Sequence, residues 1–156
     1  MHPNDRQILN ERLARLLAPM LGDRAVYDPG WRCRAGHVGL GPLLDGLEES
    51  RCREWEADRA ATCRMPRQRD QFPKDFVKDG LLFDVFKRIG QERLIGLRIT
   101  RIRQSEDRAS MYWYEFDWEV CVTWFGDDYT KVHYLLEAAL GEALAAALEG
   151  EVHDGE

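Results

Sequence analysis

Two sets of residues in this chain carry side chains suited to chemistry: four soft metal ligands and one row of carboxylates. Cys33 and His37 have three residues between them, and Cys52 and Cys63 have ten. Zinc takes four such ligands in a tetrahedron, and structural sites usually bring them as close pairs. The first pair meets that spacing within a glycine-rich stretch. The second does not: on one helix, at 1.5 Å per residue, the two thiols stand about 16 Å apart and cannot share an ion. The reading is therefore cysteines without metal. A zinc-binding module ranks third among the functional alternatives, and no cofactor is expected.

Glu115, Asp117 and Glu119 alternate along an extended stretch, so they share a face at spacings of about 6.6 Å. Carboxylate pairs at such distances cleave glycosides, and they also hold divalent cations with water. Arg98 with Arg101 or Arg103 on the preceding strand offers a plainer use, as cross-strand ion pairs. His2, His37, His133 and His153 are scattered. No nucleophile elbow, His-Glu-x-x-His helix or Walker loop is present. Gly36-His37-Val38-Gly39-Leu40-Gly41 has the glycines of a phosphate loop but no lysine, and reads as a flexible loop. No catalytic residue is assigned, and the chain is not expected to be an enzyme.

The elements that must position these residues are most legible in the last third. Ile95, Leu97 and Ile99 alternate with smaller or polar residues, which predicts a strand over about 94–103, with a bulge where Ile102 breaks the pattern. Tyr112, Tyr114, Phe116, Trp118, Val120, Val122 and Trp124 then share one face of a second strand. A polar turn over 104–110 joins the two into a long hairpin, about 94–125. Val132, Leu135, Leu136, Ala139, Leu140, Ala143, Leu144, Ala147 and Leu148 recur at helical spacing. They predict a helix over about 129–149, capped by Asp127 or Asp128 and ended by Gly150. The aromatic face should pack against it.

The first half is less regular. A helix over about 5–21 follows from Ile8, Leu9, Leu13, Leu16, Leu17 and Met20, with Pro19 near its end and Gly22 beyond. Residues 23–42 read as loop around Asp28-Pro29-Gly30. One charged helix is expected over 43–64, and a second loop through Met65-Pro66 and Phe72-Pro73. Residues 76–90 favour a helix over a strand. The expected fold class is α+β: an antiparallel sheet with a long C-terminal hairpin packed by a C-terminal helix, as a single domain over 1–156.

The chain has 156 residues, 44% hydrophobic and 32% charged, with a net charge of −6. That balance argues against direct sequence-specific nucleic-acid binding and against a membrane surface, both of which favour basic faces. No apolar run is long enough to cross a bilayer, no signal-peptide pattern opens the chain, and the irregular cysteines suggest a reducing compartment. Localisation is expected in the cytoplasm, or in a virion assembled there. After position 110 Lys131 is the only basic residue, against 11 acids. Trp113 and Phe125 lie on the acidic face, where large aromatics mark an interface. Trp113, Glu115, Asp117, Glu119, Phe125, Asp127 and Asp128 are therefore the candidate partner-binding residues. The leading expectation is a non-enzymatic subunit of a larger assembly, such as a phage tail-completion, neck or connector component, self-associating in a ring. The alternative is a small acidic inhibitor or immunity-type protein that covers a basic site.

Overall fold

The computed structural model describes residues 1–41, 52–53, 62–63, 67–78, 80–91, 95–103 and 116–154, with the backbone alone at 52–53, 62–63 and 152–154. The fold is mixed α+β, with two antiparallel three-stranded sheets and a C-terminal helix packed on one of them. Its contacts divide into two units: Met1–Met20 with Asp75–Glu156, and Leu21–Lys74. In chain order the helices are α1 (Pro3–Leu21), α2 (Asp23–Val26), α3 (Leu81–Gly90) and α4 (Leu136–Asp154). The strands are β1 (Tyr27–Cys33), β2 (Val38–Leu40), β3 (Cys52–Arg53), β4 (Thr62–Cys63), β5 (Arg67–Pro73), β6 (Ile95–Arg103), β7 (Phe116–Trp124) and β8 (Asp127–His133).

In the first unit, β7 is the middle strand of a β6-β7-β8 sheet. Its register with β6 runs unbroken from Ile95↔Trp124 to Arg103↔Phe116. The bulge expected at Ile102 is absent, because Ile102 simply pairs with Asp117. Val120, Val122 and Trp124 are buried, on the face that meets α4. That helix is hydrophobic nearly all round, and Ala138, Ala139, Leu140, Ala143, Leu144, Ala145, Ala147 and Leu148 are all buried. A helix with no polar face must be covered on both sides. The sheet covers one side of α4. On the other, Gly141 seats Leu9 and Leu13 of α1 and Leu82 of α3, with methyl carbons 3.2–3.5 Å from where a Cβ would stand.

The C-terminal helix starts at Leu136 rather than near 129, and it runs through Gly150 to Asp154 instead of ending at that glycine. Gly126-Asp127-Asp128 does not cap a helix; Phe125 and Gly126 form a two-residue turn, with φ of 48° and 86°, and the chain returns as β8. Positive φ at both central positions is the type I′ hairpin signature, whose twist matches the flanking strands. Val132, counted as helical stripe, is a β8 residue exposed to solvent at 42%. The helix over 81–90 is present, with Leu82, Val85, Phe86 and Ile89 buried.

A polar network joins the separate segments of this unit. Arg6 forks onto the Asp75 carboxylate through Nε at 3.0 Å and through Nη2. Asn10 donates to Asp75 Oδ1 at 3.1 Å and accepts the Phe76 backbone N–H at 2.9 Å. Burial alone would raise the Asp75 pKa, but the bonds from Arg6 and Asn10 and the Arg6 charge hold it below the ordinary carboxylate value.

The second unit contains strands where loops were expected. β1 lies between β2 and β5, so a strand does precede the Gly36–Gly41 segment, which forms the β1–β2 turn and β2 itself. Pro29 sits inside β1 rather than in a turn. Its carbonyl accepts Gly41 N–H at 2.9 Å on the β2 side, just past the end of β2, so its missing N–H costs no ladder bond. Gly30 lies beneath Phe72, and Gly39 beneath Trp31, where a Cβ would overlap the rings. Such glycine–aromatic seats pin the register of a sheet. Arg32 and Asp70 pair at 3.0 Å, and the Gln71 backbone N–H, with Arg32, lowers the Asp70 pKa. The helix expected over 43–64 does not hold where the chain is described: β3 and β4 pair antiparallel, with Cys52 opposite Cys63.

Candidate interaction surface

The hairpin β7–β8 ends at the Phe125-Gly126 turn. Phe125 is 59% exposed and packs edge-on against Trp124, ring centroids 5.8 Å apart. Trp124 itself is buried and donates through Nε1 to Glu151 of α4 at 3.0 Å. The tip is thus an exposed aromatic on an anchored base.

The sequence-derived partner residues do not form one row. Trp113 and Glu115 lie outside the described residues, as does the turn over 104–110. Asp117 is only 3% exposed, so it cannot meet a partner directly; Glu119 is half-buried on the same face. Asp127 pairs with Trp124 and Asp128 with Thr123, so the two carboxylates point to opposite faces. Both are exposed, and Asp128 accepts the Thr123 hydroxyl at 2.6 Å. Phe125, Asp127 and Asp128 therefore gather at the tip, while Asp117 and Glu119 do not join them.

The cross-strand arginines are also placed differently. Glu119 stands opposite Thr100 and Asp117 opposite Ile102, whereas Arg101 and Arg103 stand opposite Trp118 and Phe116. Arg101 stacks its guanidinium 4.3 Å from the Phe116 ring centroid and 5.7 Å from that of Trp118. These are cation–π contacts rather than ion pairs. Arg98, Arg101 and Arg103 are all exposed on β6, and among the described residues β6 and β8 are the outer strands of their sheet. One edge is basic, and the other carries Asp127 and Asp128.

The structure also forms a cleft that the sequence did not suggest, because its members are far apart in the chain. Met1, His2, Asp5, Ile8, Leu9, Arg12, His133, Tyr134 and Glu142 enclose about 390 Å³. Its polar groups are mostly committed to structure. Arg12 grips Glu149 at 2.5 and 2.7 Å, and the N-terminal ammonium donates to the Tyr134 hydroxyl. His133 stacks on Tyr134 at 4.5 Å and accepts the Leu135 N–H at 2.9 Å.

Of the soft ligands, Cys33 Sγ lies 3.2 Å from His37 Nδ1. Among the residues whose side chains are described, no group of three or more His, Cys, Asp or Glu could hold a metal. No helix among the described residues is long and apolar enough to cross a membrane. No protein-family model matches the chain, and comparisons with curated proteins and with solved structures give no match, so a functional reading rests on the chain's own residues.

Proposed function

We propose that this chain is a non-enzymatic interaction protein, a small subunit that joins a larger assembly through the β7–β8 tip. The observation that carries this reading is Phe125. A left-handed residue in a type I′ turn is normally Asn, Asp or Gly. Placing a residue with a bulky Cβ substituent there costs about 1–2 kcal/mol. At 59% exposure, burial repays little of that cost, and an edge-on contact with Trp124 returns about 0.5–1.5 kcal/mol. Backbone strain held where folding does not need it points to binding.

The flanking charges suggest what it binds. The β8 edge with Asp127 and Asp128, and the β6 edge with Arg98, Arg101 and Arg103, suit heterologous contact between copies, which gives a ring when the rotation closes. Phage neck, connector and tail-completion subunits are assemblies of that kind. An inhibitor that covers a basic site would use the same tip, and Asp127 and Asp128 beside Phe125 favour it as the second reading.

Native mass spectrometry of the wild type and of Phe125→Asn tests both readings. Ring formation by the wild type and its loss in the folded variant would support the subunit. A monomer that binds one basic protein in a salt-dependent manner would favour the inhibitor. Assembly unchanged in Phe125→Asn would sink the role given to the tip.

A further inference from the structure

We propose that the Phe116 end of the β6-β7-β8 sheet is a binding platform for single-stranded nucleic acid. Alternate residues of a strand share a face, so Phe116 and Trp118 lie on the same side of β7 as Val120, Val122 and Trp124. Burial along that side is uneven. Val120, Val122 and Trp124 are covered, whereas Trp118 is half-buried and Phe116 is 37% exposed. Two large aromatics therefore stand beyond the fully covered stretch.

Strand register sets cations around them. Arg103 is directly opposite Phe116, Arg101 opposite Trp118, and Lys131 of β8 opposite Val120. Directly opposed residues of an antiparallel pair share a face, and all three cations are exposed. The guanidinium of Arg101 bears out the placement, 4.3 Å from the Phe116 ring centroid and 5.7 Å from that of Trp118.

The neighbouring acids are elsewhere. Asp117 and Glu119 alternate onto the reverse face, and Asp127 lies opposite Trp124 at the far end of β7. Eight residues at about 3.3 Å each put that end about 27 Å away. Exposed charges act over only about 8–10 Å at physiological salt. His133, opposite Trp118, borders the cleft it shares with Asp5 and Glu142, and marks the limit of the patch. The net charge of −6 argues against nucleic acid for the chain as a whole, but it does not describe this end.

Aromatic rings and guanidinium planes stack on bases of any sequence, while flanking cations meet the phosphates. Phe116 and Trp118 are two residues apart, about 6.6 Å along the strand, which suits successive bases of an extended chain. A duplex hides its base faces in its own stack, so single strands are the ligand this chemistry selects. RNA and single-stranded DNA share the bases and phosphates it would read.

The test titrates fluorescently labelled oligothymidylate and oligouridylate with the full chain, followed by anisotropy, and the two probes separate DNA from RNA. The expected Kd is about 1–100 μM at physiological salt. Three phosphate contacts on a single strand predict a slope of log affinity against log salt of about −2. Phe116→Ala should weaken binding about tenfold, and Arg103→Gln should reduce the slope by about 0.7. Arg98→Gln, on the reverse face opposite Cys121, should change little. Phe125→Asn should bind at least as well as wild type, so the platform and the tip are judged separately. Equally tight binding of duplex DNA or of inorganic polyphosphate would overturn the proposal. So would an Arg98→Gln loss as large as that of Arg103→Gln, unchanged affinity in a folded Phe116→Ala, Arg103→Gln double variant, or no binding of either probe at low salt.

Discussion

Replacing Asn10 by Ala tests the network that joins α1 to the segment after Asp75. Asn10 is 9% exposed, and Phe76, whose backbone N–H it accepts at 2.9 Å, is fully buried. Removing the acceptor leaves that N–H in a site water does not reach, which costs about 1–3 kcal/mol. The second bond, to Asp75 Oδ1, contributes less to the loss, because Asp75 is 40% exposed and keeps Arg6. The expected destabilisation is about 2 kcal/mol, or about 4–8 °C in Tm for a chain of this size. Urea unfolding followed by far-ultraviolet circular dichroism measures it, and amide exchange at Phe76 should quicken in step. Asn10→Asp is the control for mechanism. It keeps the acceptor but sets a second carboxylate beside Asp75, so its loss should shrink as acid protonates one of the pair. An Asn10→Ala protein within about 0.5 kcal/mol of wild type, with Phe76 exchange unchanged, would refute the reasoning.

Gly150→Ala sets helix propensity against packing. Alanine gains about 1 kcal/mol in a helix interior, but its Cβ would stand 2.8 Å from Tyr129 Cζ and closer still to the hydroxyl. Overpacking of about 1–3 kcal/mol should win, giving a lower urea midpoint; a higher one would mean Tyr129 swings away cheaply. Phe125→Asn should raise stability by about 1 kcal/mol by relieving the left-handed strain, measured as a higher Tm for the variant that also loses assembly. Acid should weaken the fold through Asp75 and Asp70. Both have folded pKa values held below the unfolded value of about 3.9. Their contribution is therefore complete above that value and lost as pH falls through the depressed one. In Asp75→Asn, urea midpoints measured down that range should show a shallower decline.

The strongest local signals were read correctly because they are local. Period-two alternation through Phe116–Trp124 and helical spacing from Leu136 onward depend only on which neighbours in sequence share a face. The boundary between them was misread for the same reason. Asp127 and Asp128 have the chemistry of a helix cap, and Val132 falls at helical spacing by accident. Only pairing with β7 makes 127–133 a strand, and its turn uses a phenylalanine where the local preference is Asn or Gly. In the Leu21–Lys74 unit Pro29, Gly30 and Gly39 read as loop punctuation. The role of the two glycines emerges only once Phe72 and Trp31 lie across them from neighbouring strands, and that of Pro29 once β2 ends beside it. The candidate sites followed that division. Phe125, Asp127 and Asp128 could be named from sequence because a turn gathers neighbours in the chain. That Asp117 is buried, that Arg101 stacks on aromatics, and that Cys52 pairs with Cys63 in a strand ladder were settled by strand register. Register is a contest among residues distant in sequence, decided by which faces can be covered together, and no window along the chain contains it.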